Sequence, residues 1–115
     1  MFSIYLDDVR EGPDDYVRVT TVEQCQTLLL NNPGKVYVLS LDNDLGEPGL
    51  DKEGRSIPYW IVEQNLYYGL NLWPAAIRIH SANPVARDYM AGVINRYGCY
   101  RYDANESAFI DDSRF

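Results

Sequence analysis

Between Val36 and Leu41 the chain reads Val-Tyr-Val-Leu-Ser-Leu, apolar at almost every position. Strict alternation would suit a strand with one wet face. A nearly unbroken run suits a strand covered on both faces, as in the middle of a parallel sheet. The flanking segments agree. Phe2 to Leu6 and Ala76 to His80 read as further strands, and Tyr16 to Thr20 alternates as a short one. Between them lie helical patterns. Thr20-x-x-Glu23 and Thr21-x-x-Gln24 both have capping-box spacing, followed by a stripe at Val22, Cys25, Leu28 and Leu29. A second helix runs from about Ile57 to Tyr68, with Pro58 in its first turn and Gly69 at its end. Asn83 and Pro84 open a third as N-cap and N1 residues, and Val85, Tyr89, Val93 and Tyr97 form its inner stripe, with Met90 and Ile94 beside it.

Strands alternating with helices predict an α/β fold with a parallel sheet and right-handed crossovers. The first link departs from that rule: Asp8 to Asp15 is a polar turn containing Gly12-Pro13, so the first crossover helix is reduced or absent. The expected sheet has four to five strands, the last a short edge strand at Tyr100-Arg101-Tyr102. The 115 residues suffice for one domain over 1–115, ending in a polar, acidic segment at about 103–115. Asp42 to Ser56 is a long loop with three glycines, and loops of this length often bind or cover ligands.

Two acidic pairs follow the strands. Asp7 and Asp8 come directly after Leu6, and Asp42 and Asp44 after Leu41. Ligands bind at the carboxyl ends of strands in open parallel sheets. Carboxylates gathered there repel one another unless a cation or a proton intervenes. A hard divalent ion, Mg²⁺ or Mn²⁺, fits such oxygen ligands. Asp42 to Glu53 does not make a calcium-hand loop, because position six carries Glu47 where glycine is needed.

His80 is the only histidine. It closes a strand, and a helix N-terminus follows, where free backbone N–H groups favour anions. Near neutral pH an imidazole there can act as general acid or base. Ser81 and Asn83 add polar groups, and the Arg87 guanidinium, one turn into the helix, suits a phosphate. Arg10 could pair with the first acidic pair or neutralise a bound phosphate. Trp60 and Trp73 are expected to pack in the core or a crevice.

The formal net charge of −7 argues against duplex nucleic acid as a partner, since such binding needs clustered Lys and Arg. No run is apolar and long enough to span a bilayer, and no basic region precedes an apolar N-terminal stretch, so a cytoplasmic protein without membrane contact is expected. Cys25 and Cys99 have no metal-type spacing and are expected to be reduced thiols.

Taken in order, Leu6-Asp7-Asp8-x-Arg10, Ser40-Leu41-Asp42-x-Asp44-Leu45-Gly46 and Ile79-His80-Ser81-Ala82-Asn83-Pro84-Val85-x-Arg87 resemble the cyclic-phosphate processing receiver domain family. The resemblance implies a receiver-like, flavodoxin-type fold and recognition or processing of cyclic phosphates, on RNA ends or nucleotide derivatives. It matches Asp7 and Asp8 to the receiver's metal-binding pair, Asp42 to the phospho-acceptor aspartate and Ser81 to the hydroxyl residue after strand four. The resulting expectation is a metal-dependent cyclic phosphodiesterase or phosphoesterase. Asp7, Asp8, Asp42 and Asp44 would hold metal, His80 and Asp42 would carry the chemistry, and Arg10, Ser81, Asn83 and Arg87 would bind phosphate. The alternative is a non-catalytic, receiver-like binding module, with room for a protein partner. This chain has Asn43 where family members often carry histidine, and Ala86 where glycine is common. Its only lysines, Lys35 and Lys52, do not follow a fifth strand, which argues against phosphorelay through Asp42.

Overall fold

The computed structural model describes residues 1–112. Strand β1 (Phe2–Leu6) leads through a helix-free loop to β2 (Tyr16–Val19). Helix α1 (Val22–Asn31) connects to β3 (Val36–Leu41). A long loop with a single 3₁₀ turn at Leu50–Lys52 leads into α2 (Ser56–Tyr68), then β4 (Ala76–Ile79) and α3 (Pro84–Tyr97). A hairpin of β5 (Tyr100–Asp103) and β6 (Ala108–Asp111) completes the described chain.

The sheet order is β2-β1-β3-β4-β6-β5. The first four strands are parallel, and β6 runs antiparallel to both β4 and β5. The receiver-like α/β class is as expected, including the missing first crossover helix and the edge position of β5. The sheet is one strand wider than the four to five expected. Ala108-Phe109-Ile110 lies inside the segment read as a polar tail, yet Phe109 and Ala108 are buried and pair with neighbouring strands. Asp103 makes the reversal, accepting from the Asn105 and Glu106 N–H groups. Residues 113–115 of the expected acidic segment lie outside the described residues.

Crossovers β2 to β3, β3 to β4 and β4 to β5 all step the same way across the sheet. Right-handed connections therefore put α1, α2 and α3 on one face, and α2 packs against both its neighbours. Ile4, Leu6, Val19, Leu39, Leu41, Ile77 and Phe109 point into that layer and form the core with Val22, Cys25, Leu29, Ile57, Ile61, Met90 and Ile94. The opposite face bears no helix among the described residues. Trp60 and Trp73 pack, partly buried, against the core.

The caps form where the sequence signals them. Thr21 accepts from Gln24 N–H, and Asn83 accepts from Ala86 N–H with Pro84 at N1. The phase of α3 differs from expectation: Val85, Tyr89 and Tyr97 are exposed, while Ala86, Met90, Val93 and Ile94 are buried. Ala86 is fully buried, so a small side chain stands where the helix begins to pack on the sheet.

Candidate functional site

The parallel ladder aligns Leu6 with Leu41 and Leu41 with Ile79. The next residue on each strand is Asp7, Asp42 or His80. The ladder carries on one step, since Asp42 N–H donates to Leu6 O and His80 N–H to Leu41 O, both at 3.0 Å. Side chains alternate along strands. With Leu6 and Leu41 pointing to the helices, Asp7, Asp42 and His80 fall together on the helix-free face. One ligand atom from each lies within 4.8 Å of the others. The site flanks the gap between β1 and β3, where connections leave in opposite directions, the place where ligands bind in this architecture.

Asp7 is 1% exposed. Its Oδ1 accepts from the N–H groups of Val9 (2.9 Å) and Arg10 (3.0 Å). Its Oδ2 lies 3.1 Å from His80 Nε2 and 3.9 Å from Arg10 Nε. Burial alone would raise this carboxyl, but the two backbone donors and His80 outweigh it and hold Asp7 below the usual carboxylate range. Asp42 moves the other way. Burial raises it, and the nearby Asp7 charge adds to that, only partly offset by the Asn43 N–H. Burial also lowers His80, against the pull of Asp42 and Asp7. The site thus holds an ionised Asp7, a neutral imidazole and a carboxyl that keeps its proton longer than usual.

His80 is fixed on every side. Its Nδ1 is 2.8 Å from Ser40 Oγ, and its ring stacks on Tyr5 at 4.3 Å between centroids, 8° from parallel. Arg10 Nη1 donates to the His80 carbonyl at 3.2 Å, which brings the guanidinium to the rim. Gly12, at φ 75°, lies against the Tyr5 ring; an added Cβ would come within 2.5 Å of it. Ser40 and Tyr5 were not among the expected site residues. The available signal was Ser40, a small polar side chain among the large apolar and aromatic ones of the central strand.

The remaining expected residues are placed differently. Asp8 lies one residue past Asp7, off the aligned row, beside Gly46. Its Oδ1 is buried with no hydrogen-bond partner among the described residues. Asp44 is exposed and accepts from the Asn43 amide. Ser81 is buried, and its Oγ accepts from Asn83 N–H, while the Asn83 side chain caps α3. Both polar groups therefore already shape the helix entry. Arg87 borders a separate hollow of about 230 Å³ with Ile79, Tyr102 and Phe109.

Asn43 is fully buried. Its amide oxygen accepts from Arg55 N–H, its carbonyl accepts from Gly54 N–H, and its amide nitrogen reaches Asp44 and Glu53. Gly54 must be glycine, because a Cβ there would lie 1.6 Å from the Asp42 carbonyl oxygen. The base of the 42–56 loop is thereby tied directly beneath Asp42.

The family model for the cyclic-phosphate processing receiver domain matches residues 2–96. The chain belongs to this family. The match runs from β1 almost to the end of α3 and so includes all three strand ends of this receiver domain's site, while the β5–β6 hairpin falls beyond it. No curated protein and no solved structure matches the chain. No helix among the described residues is long and apolar enough to cross a membrane.

The donor set of the receiver domain fits a divalent cation. Two carboxylates and an imidazole converge, one ligand atom of each within 4.8 Å of the others, and carboxylates this close repel unless a cation or a proton intervenes. A mixed oxygen and nitrogen set suits a first-row ion such as Mn²⁺ better than Mg²⁺, which prefers oxygen and water.

Proposed function

We propose that this receiver domain binds a cyclic phosphate, on a nucleotide derivative or an RNA end, and opens it with the help of a divalent cation. The observation that carries the reading is the register-aligned convergence of Asp7, Asp42 and His80 with Arg10 at their rim. Asp7, Asp42 and His80 would hold the cation, which when bound supplies Lewis acidity at a phosphoryl oxygen and a more acidic water. The Arg10 guanidinium would carry the phosphate charge. Asp42 Oδ1 is taken by Asn43 N–H, and Oδ2 has no hydrogen-bond partner among the described residues. Without the cation, His80 would keep its ring proton at Nε2, and Asp42, with its raised pKa, would keep a proton at Oδ2 to higher pH than an ordinary carboxyl; both atoms would give up their protons to hold the cation.

Purified protein with Mn²⁺ or Mg²⁺ should hydrolyse 2′,3′-cyclic nucleotides or RNA ends. His80→Ala and Asp42→Asn should each lower the rate by roughly 100-fold or more, since each would remove a donor to the cation, a loss at least as large as that of a partner behind such a donor. Arg10→Ala should act mainly on KM. Wild-type turnover no higher than that of His80→Ala would remove the catalytic reading.

A non-catalytic module is the second reading, and Asn43 favours it. The side chain that replaces a frequent family histidine is consumed by loop contacts and is not free for chemistry. Calorimetric binding of a cyclic nucleotide without turnover would select this alternative.

A further inference from the structure

Ser40, a strand-interior residue, touches the only histidine of the chain at the nitrogen that faces away from Asp7. The polarity of the three-residue chain Ser40–His80–Asp7 follows from counting donors. Asp7 Oδ1 accepts two backbone N–H groups, the environment of an ionised carboxylate, which can only accept. Nε2, 3.1 Å from Asp7 Oδ2, must then carry the ring proton. A neutral imidazole has one such proton, so Nδ1 is a bare acceptor, and the Ser40 hydroxyl, 2.8 Å away, donates to it. Ser40 is 4% exposed and the His80 ring is stacked on Tyr5, so neither partner is readily replaced by water.

We propose that Ser40 is a positioning residue that selects the tautomer of His80, presenting Nε2 to the site in both its metal-free and metal-bound states. Without metal, Ser40 donates to Nδ1 and the proton sits on Nε2. When Nε2 takes a cation, the ring proton must move to Nδ1, and the same hydroxyl rotates to accept it. A hydroxyl can serve in both senses, whereas a carbonyl or carboxylate at this position could only accept. Ligating histidines commonly need such a partner on the second nitrogen, and losing it weakens metal binding by roughly 10–100-fold. The metal-bound half rests on the cation reading above; the metal-free half does not.

The experiment follows the imidazole nitrogens of ¹⁵N-labelled protein, where a single histidine leaves no ambiguity of assignment, together with a calorimetric Zn²⁺ titration (Zn²⁺ being diamagnetic). In the metal-free wild type the proton should be on Nε2, and in Ser40→Ala the Nδ1 resonance should move to that of a lone pair without a donor. Zn²⁺ should shift the wild-type proton to Nδ1. Ser40→Ala should bind Zn²⁺ at least about tenfold more weakly, and Ser40→Thr, which keeps the hydroxyl, should restore both signals. A proton on Nδ1 in the metal-free wild type, or an Nδ1 resonance and Zn²⁺ affinity unchanged in Ser40→Ala, would overturn the proposal. A proton that stays on Nε2 with Zn²⁺ bound would do the same. If the wild type binds no Zn²⁺ or Mn²⁺, the cation reading falls, and the metal-free Nδ1 resonance alone decides the role of Ser40.

Discussion

At His80 two effects compete and burial wins. The imidazole sits beside two carboxylates, which favour its charged form, yet removal from water lowers its pKa below the usual 6.5. An unfolded chain takes up the histidine proton as pH falls through 6.5, while the folded chain does so only at lower pH. Stability contributed by neutral His80 is therefore full above that range and declines as pH falls below it. Asp42 acts with the opposite sign: its raised pKa makes the folded state bind its proton first, so acidification favours folding there. Asp7, lowered, holds its contribution until pH falls through its own depressed value. Urea midpoints at about pH 7.5 and 5.5, compared between wild type and His80→Gln, read the histidine, since Asp42 is present in both. Wild type should lose more stability across that interval than His80→Gln, and equal losses would show that His80 titrates as an ordinary histidine. Asp7, Asp42 and His80 were each legible in the sequence as residues that end strands. Ser40 and Tyr5 were not, because a strand-interior side chain reveals its partner only once the register of its neighbours is known.

Among the elements, the caps and strands follow local chemistry, and the departures come where the tertiary fold decides. The residues at 85, 89, 93 and 97 and those at 86, 90 and 94 both have helical spacing, so periodicity alone could not fix the rotation of α3. The entry at Asn83 and Pro84 turns the small Ala86 toward the sheet, and the tyrosines, whose hydroxyls tolerate water, stay outside. Strand β6 was hidden by its length, three apolar residues in a polar stretch. The long loop was visible as a loop, but its anchor was not: Asn43 resembles any turn asparagine until Arg55 N–H is found on its amide oxygen. Truncation to Ala leaves that N–H without its acceptor. Asn43→Ala should therefore cost about 1–3 kcal/mol, read as a lower urea midpoint at unchanged slope, and should loosen Asp42 with the loop. A midpoint within about 0.5 kcal/mol of wild type, the range of ordinary surface changes, would mean that the loop anchors itself elsewhere.

Across the whole molecule, net charge and site charge point the same way. The chain carries a formal net charge of −7, and two of its carboxylates meet at adjacent strand ends. Arg10 offsets part of this, but its guanidinium is more than half exposed and stands 3.9 Å from Asp7. Acidic repulsion of this kind is relieved by a cation that binds only the folded arrangement, because the three donors lie far apart in sequence and come together through the β1-β3-β4 register. Linkage then sets the size of the effect. At a cation concentration 100-fold above Kd, the folded state gains about 2.7 kcal/mol. For a domain of this size that corresponds to a rise in Tm of roughly 10 °C. Thermal melts with increasing Mn²⁺ should show this rise at constant ionic strength, which separates site binding from general screening of the negative surface. Asp42→Asn should start from a Tm at or above that of metal-free wild type, since it removes a half-buried like charge beside Asp7, and should gain almost nothing from Mn²⁺. Equal Mn²⁺ increments in the two proteins would assign the stabilisation to diffuse surface charge and leave the aligned strand ends without a cation.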